Sequence, residues 1–190
     1  MEKKLRLAVI YGSTREGRLC DRVVDWIANE VWTREQFELD LIDPGEFDLH
    51  GTGKEGKPSL AAAGARLDEA DAFIITTPEY NHSFPAPLKA FIDAFSAEWQ
   101  VKPLAFVSYG GISGGLRAVE QLRLVFAELH AVAIRDTVSF AHAWGRFSKD
   151  GELREPEEAH KSMGRLIANL HWWAGVLRPA RAEGTYGVAA

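Results

Sequence analysis

Seven residues, Gly12-Ser13-Thr14-Arg15-Glu16-Gly17-Arg18, separate the apolar run LRLAVIY from a stretch with helical periodicity. A turn that leaves a strand and enters a helix offers unpaired amide N–H groups and roughly half a positive charge. Ser13 and Thr14 add hydroxyls, and Arg15 and Arg18 add planar forks whose spacing suits a phosphate monoester. The chemistry available to such a turn is anion capture.

Two nucleotide motifs are excluded on their residues. Gly12 to Arg18 has the outline of G-x-x-x-x-G-K-[ST], but Arg18 and Leu19 replace the lysine and the hydroxyl residue, and leucine cannot hold Mg²⁺. Gly51-Thr52-Gly53-Lys54-Glu55-Gly56 satisfies G-x-G-x-x-G, yet it follows Phe47–His50 rather than a strand, with Pro58 just beyond. It is rejected as a dinucleotide fingerprint.

Two more segments carry unusual residue types. Thr77-Pro78-Glu79-Tyr80-Asn81-His82-Ser83-Phe84-Pro85 mixes prolines, aromatic rings and polar donors. A flat heteroaromatic ligand needs that mixture: apolar cover for its faces and donors for its edge. The plainer reading is a proline-braced turn whose Tyr80 and Phe84 pack inward. Ser108-Tyr109-Gly110-Gly111-Ile112-Ser113-Gly114-Gly115 holds paired glycines, which let main-chain amides approach a ligand closely and stabilise negative charge on it. Its plainer reading is a flexible turn before a helix.

The elements that must position these segments follow from periodicity. Leu5–Tyr11, Phe37–Ile42, Ala72–Thr76, Leu104–Ser108 and Val132–Phe140 read as strands. Helical patterns run from Leu19 through Val31, over Leu60–Ala70, from Pro85 to about Ser96, from Leu116 to Leu129, and over Glu157–Leu177. The tail from Pro179 to Ala190 has no periodicity and is expected to be disordered, and the whole chain is expected to be one domain. Alternation of β and α predicts a doubly wound α/β fold with a parallel sheet, and of the two common strand orders this length with five strands favours 2-1-3-4-5. In such sheets ligands bind beyond the carboxyl ends of the strands, where all three unusual segments fall.

Composition narrows the setting. The chain has 190 residues, a net charge of -5 and 46% hydrophobic residues, so it can bury a core and has no electrostatic footprint for nucleic acid or anionic membrane. Cys20 is the one cysteine, which excludes an intrachain disulfide and a cysteine-based zinc site. The apolar run after Arg6 is too short for a signal peptide or a membrane span, and a cytoplasmic protein is expected.

GSTREGR, TPEYNHSFPAPLKAFID and SYGGISGG, in this order and spacing, resemble the NADPH-dependent FMN reductase family of flavodoxin-like proteins, over roughly Leu5 to Phe140. The resemblance implies FMN as cofactor and NAD(P)H as hydride donor. It implies a small-molecule acceptor (free flavin, quinone, azo compound or metal ion), taken in turn on the same ring face. It places the FMN phosphate at Ser13, Arg15, Arg18, Leu19 and Cys20, the isoalloxazine and ribityl at Pro78, Glu79, Tyr80 and Asn81, and the ring border at Ser108, Tyr109, Gly110 and Gly111. Family members often carry Ser where this chain has Arg18 and Asn where it has Cys20, so Arg18 either replaces a lost hydroxyl or points to solvent. A homodimer or homotetramer is also implied. The alternatives are a flavodoxin-type electron carrier, a flavoenzyme acting on a specific biosynthetic metabolite, and a non-catalytic module.

No side chain is nominated as acid, base or metal ligand. His82 reads as a hydrogen-bonded loop histidine, and Cys20 as a packed, inert thiol. Trp99, Trp144, Trp172 and Trp173 read as core or interface residues, and His50, His130, His142, His160 and His171 lack metal-ligand spacing.

Overall fold

A computed structural model describes residues 4–49, 60–148, 150–184 and 186. The rejected Gly51–Gly56 motif lies outside the described residues. The strands are β1 (Leu5–Tyr11), β2 (Phe37–Ile42), β3 (Ala72–Pro78), β4 (Pro103–Tyr109) and β5 (Val132–Phe140). They form a parallel sheet in the order β2-β1-β3-β4-β5, as the alternation of elements predicts. The helices are α1 (Cys20–Trp32), α2 (Leu60–Glu69), α3 (Ala86–Asp93), α4 (Leu116–Glu128) and α5 (Glu157–Ala182).

Strands covered on both faces read as unbroken apolar runs, and the pleat sends alternate residues to opposite sides. Leu7, Val9, Ile74, Ala105 and Val107 pack with Val23, Val24 and Ile27 of α1 and Met163, Leu166, Ile167 and Leu170 of α5. Ala8, Ile10, Phe73, Ile75, Leu104 and Phe106 face the other way, onto Leu67 of α2, Leu88, Phe91 and Ile92 of α3, and Leu122 and Phe126 of α4. Trp99 is fully buried in this second layer. Its ring meets Phe73, Phe91 and Phe126 edge-on at centroid separations of 4.8, 6.5 and 5.4 Å, and its Nε1 donates to the Ile92 carbonyl at 3.2 Å. This aromatic knot fixes α3 and α4, the helices that follow the second and third unusual segments, against β3.

The strands do not end level. β1 pairs with β3 as far as Tyr11 and Thr76, whereas β3 and β4 stay paired through Thr77–Ser108 and Pro78–Tyr109. The step left above β1 is filled by the turn that begins at Gly12. A Cβ built on Gly12 would lie 2.0 Å from the Thr76 carbonyl oxygen, so only glycine lets the chain pass there.

One boundary differs in kind from the periodicity. α5 does not stop at Leu177 but continues to Ala182 with Pro179 inside it. Proline removes one helical hydrogen bond, a cost met here by tertiary contacts. Arg181 donates to Asp71 at 3.0 Å and to the Val101 carbonyl at 3.2 Å, and Arg178 lies 3.5 Å from Asp71, tying the last turns of α5 to the start of β3.

Candidate functional site

The first turn runs from Gly12 to Leu19 and feeds α1, whose leading amides have no carbonyl within the helix to bind. Ser13 is buried, and its hydroxyl lies 3.0 Å from the Tyr80 hydroxyl and 3.5 Å from the Arg15 amide. The two arginines separate. Arg15 is exposed, and its guanidinium stacks over the Tyr80 ring at 3.8 Å, with no ion pair among the described residues. Arg18 is folded inward. It forms a fork with Asp43, donates from Nε to Asp21 at 2.7 Å and from Nη1 to the Ser13 carbonyl, and lies over the Tyr11 ring at 4.9 Å. Burial alone would lower the Arg18 pKa, but the bonds from Asp43 and Asp21 more than reverse that and hold it above its ordinary range.

This corrects the alternative in which Arg18 points to solvent. Its charge is matched by two carboxylates, and it braces the turn from within. Asp43, at the end of neighbouring β2, is the partner that sequence reasoning missed. The signal was there: β1 and β2 are adjacent, so an acidic residue directly after β2 stands beside the first turn.

The second segment forms a tight hairpin. The Tyr80 amide donates to the Ser83 carbonyl at 2.8 Å and the Ser83 amide to the Tyr80 carbonyl at 3.0 Å, with Asn81 at φ 51° and His82 at φ 66° between them. Two successive positive φ values define a type I′ turn. Asparagine tolerates that conformation well, and histidine less so. The His82 ring is exposed and makes no hydrogen bond among the described residues; its carbonyl is what is held, by Gln121 Nε2 at 2.7 Å. Ser13, Thr14, Arg15, Tyr80, Asn81, Phe84, Pro85, Ala86 and Pro87 together line a cavity of about 330 Å³, which joins the first turn to the hairpin and the start of α3.

The third segment is bound to the second rather than to that cavity. Glu79 accepts from Ser113 Oγ, from the Arg117 amide at 3.3 Å and from Arg117 Nη1 at 2.7 Å, while its own amide donates to the Tyr109 carbonyl at 3.1 Å. Burial would raise the Glu79 carboxyl pKa, but these donors outweigh it and hold it below the ordinary glutamate value. Gly115, at φ 87°, opens α4, and a Cβ there would come within 2.8 Å of both Ser108 Cβ and the Tyr109 amide nitrogen. Gly110 and Gly111 carry the chain across the strand ends, where their carbonyls accept from Ala143 at 3.1 Å and His142 at 2.8 Å.

Of the residues singled out from sequence, Ser13, Arg15, Tyr80 and Asn81 converge on one cavity. Pro78 and Glu79 sit directly behind it, and Leu19 packs partly into the core. Cys20, Ser108 and Tyr109 turn their side chains inward. Ser108 Oγ donates to the Gly114 carbonyl at 2.8 Å, and the Tyr109 hydroxyl meets the Cys20 thiol. Burial pushes that thiol up, against the pull of Tyr109 and the Ser13 and Gly12 backbone, so Cys20 is an inert packing group. Arg117 and Gln121 escaped notice because they read as ordinary exposed polar positions of α4.

Residues 5–145 match the family described as NADPH-dependent FMN reductase. The chain is 32% identical to an NAD(P)H:quinone oxidoreductase of Solanum tuberosum over 179 residues, 86% of this chain and 90% of that protein. It is 31% identical to an NADPH azoreductase of Bacillus sp., covering 94% and 98%. An NAD(P)H-dependent FMN reductase of Schizosaccharomyces pombe is 33% identical over 120 residues, 58% of this chain and 60% of that protein. Among solved structures, a flavoenzyme NAD(P)H:acceptor oxidoreductase of Paracoccus denitrificans superposes with a TM-score of 0.71 at 22% identity, covering 91% and 98%, which shows a shared fold.

If Arg18 braces the turn, Arg18→Met leaves Asp43 half-buried without its partner. The expected loss is about 1.5–3 kcal/mol of stability, read as a lower urea midpoint. An unchanged midpoint would contradict the bracing role.

Proposed function

This chain belongs to the NADPH-dependent FMN reductase family and is an FMN-dependent oxidoreductase driven by NAD(P)H, and on that premise we propose how its own residues serve the reaction. The FMN phosphate sits at the first turn, where Arg15, the Ser13 hydroxyl and the leading amides of α1 supply its donors. The observation that carries this is Arg15 itself, a guanidinium without a carboxylate partner among the described residues, beside a helix N-terminus and on the wall of a cavity. Such a donor set suits a phosphate monoester. Leu19 and the buried Cys20 shape the helix start from below, and Arg18 holds the turn without touching the anion.

Pro78, Glu79, Tyr80 and Asn81 of the hairpin and Ser108, Tyr109, Gly110 and Gly111 of the glycine-rich turn would border the isoalloxazine. Ser108 and Tyr109 contribute there through their backbone, since their side chains are committed inward. When bound, FMN supplies a ring that accepts hydride from NAD(P)H and passes electrons to an acceptor. The protein's part is to orient that ring, present main-chain donors to its edge and leave one face open. No side-chain acid or base is assigned, and His82 at the exposed hairpin tip is not given one.

The acceptor is a small molecule: a quinone, an azo compound, a free flavin or a metal ion. The quinone and azo readings draw support from the two relatives that match along most of their length. We also propose a homodimer or homotetramer, supported by the exposure of Ile112 (78%) in the third segment and of Leu116 and Leu124 on α4 (47% and 75%). A cytoplasmic setting is supported by the buried free thiol of Cys20. Among the described residues no helix is long and apolar enough to cross a membrane.

Anaerobic addition of NADPH to the FMN-loaded protein is expected to bleach its visible absorption in one turnover. A spectrum that stays oxidised would instead indicate a carrier reduced by another protein. Arg15→Ala is expected to weaken FMN binding about ten- to a hundredfold, the equivalent of about 1.5–3 kcal/mol, in a fluorescence titration. Unaltered affinity would remove Arg15 from the site.

A further inference from the structure

Resting on the assignment of the hairpin to the FMN site, we infer that Gln121, on the second turn of α4, is the positioning residue that fixes the hairpin's shape and through it the cofactor's seat. The hairpin is a conformation in need of a clamp. Asn81 and His82 both hold positive φ, and the two N–H···O bonds between Tyr80 and Ser83 are all that close it internally. Gln121 spans its far side with one planar amide: Nε2 donates to the His82 carbonyl at 2.7 Å, and Oε1 accepts from Ser83 Oγ at 2.6 Å. The orientation of that amide is determined by its partners. The His82 carbonyl can only accept, so it must face the NH₂ group, which leaves Oε1 for the serine hydroxyl.

One helical turn earlier, Arg117 holds Glu79 at the near end of the same segment. Residues four apart on a helix share a face, so two side chains of α4 grip both ends of residues 79–83. α4 itself is rigidly based, with Gly115 seated against Ser108 and Tyr109 and Phe126 locked onto Trp99. The grip is transmitted onward. Tyr80, inside the hairpin, bonds to Ser13 and carries Arg15 on its ring. A hairpin that slackens at His82 and Ser83 therefore shifts Tyr80, and with it the groups that meet the phosphate.

Gln121 is exposed and fills no core space, so its loss should disturb ligand binding far more than stability. The test uses the full chain with FMN as the probe. Gln121→Met keeps the length and removes both polar contacts. It is expected to raise the FMN Kd at least about fivefold and alter the shape of the bound-flavin absorption band, while Tm stays within about 2 °C. Ser83→Ala, which removes one contact, is expected to fall between wild type and Gln121→Met. The double variant should be no worse than Gln121→Met alone, because the two residues act through one link.

An FMN Kd and flavin spectrum equal to wild type in Gln121→Met would overturn the inference while leaving the FMN site intact. Strictly additive effects of the two substitutions would overturn it as well. Should Gln121→Met unfold, Ser83→Ala decides alone: a raised Kd at unchanged Tm supports the clamp, and an unchanged Kd refutes it. Failure of the wild-type protein to bind FMN at all would instead strike the parent assignment.

Discussion

The charge balance of the turn between β1 and α1 is the constraint from which the rest of the site follows. A helix N-terminus attracts one anion, and a turn with two free arginines beside it would attract anions indiscriminately and repel itself. Here the largely buried Asp43 and the exposed Asp21 neutralise Arg18, which leaves Arg15, on the cavity side, as the turn's guanidinium without an ion pair among the described residues. In the proposed site the brace and the cradle are thus the same seven residues, with one arginine for each task. The geometry beneath is equally narrow: the turn passes so close to Thr76 that no residue larger than glycine fits at position 12.

Around that turn the other two segments behave as one unit. Glu79 joins them through Ser113 and Arg117, Gly110 and Gly111 are buttressed by residues 142–143 beyond β5, and the aromatic knot at Trp99 holds α3 and α4 in place below. Three of the seven non-glycine residues with positive φ among the described residues fall beside the expected ligand edge, and the others, Glu35, Val101, His130 and Glu155, lie elsewhere. Asn81 and His82 in the hairpin and His142 behind the glycine turn hold positive φ, with His82 held by Gln121 and His142 bonded to the Gly111 carbonyl. Positioning a flat ring between two such turns needs no reactive side chain from the protein, which agrees with a site rich in backbone donors and poor in candidate acids and bases.

Most of this architecture was legible in the residues. β1, an apolar run, and the edge strands β2 and β5, which mix apolar with polar residues, match their expected bounds, whereas β3 and β4, buried throughout, run on to Pro78 and Tyr109, and the sheet order follows from alternation together with length and strand number. The positions lining the cavity were legible for a related reason: ligand edges in doubly wound sheets are fixed by topology. What escaped were facts of tertiary pairing. Arg15 and Arg18 are chemically alike, and only the nearness of Asp43, twenty-five positions from Arg18, distinguishes their roles. Ser108 and Tyr109 fall at a ligand-facing edge, yet the pleat and the Cys20 thiol draw their side chains inward. The end of α5 was missed because proline reads as a terminator, whereas Asp71 holds Arg178 and Arg181 and carries the helix past it.

The phosphate end of the cofactor is the part that the first turn would grip, and riboflavin isolates that end because it shares the ring and lacks the phosphate. Parallel calorimetric titrations of the wild-type protein with FMN and riboflavin test the point directly. If Ser13, Arg15 and the α1 N-terminus grip the phosphate, FMN binds at least about a hundredfold more tightly, and the gap narrows as salt screens the exposed arginine. Equal affinities at low salt would show that the first turn is not where the cofactor is held.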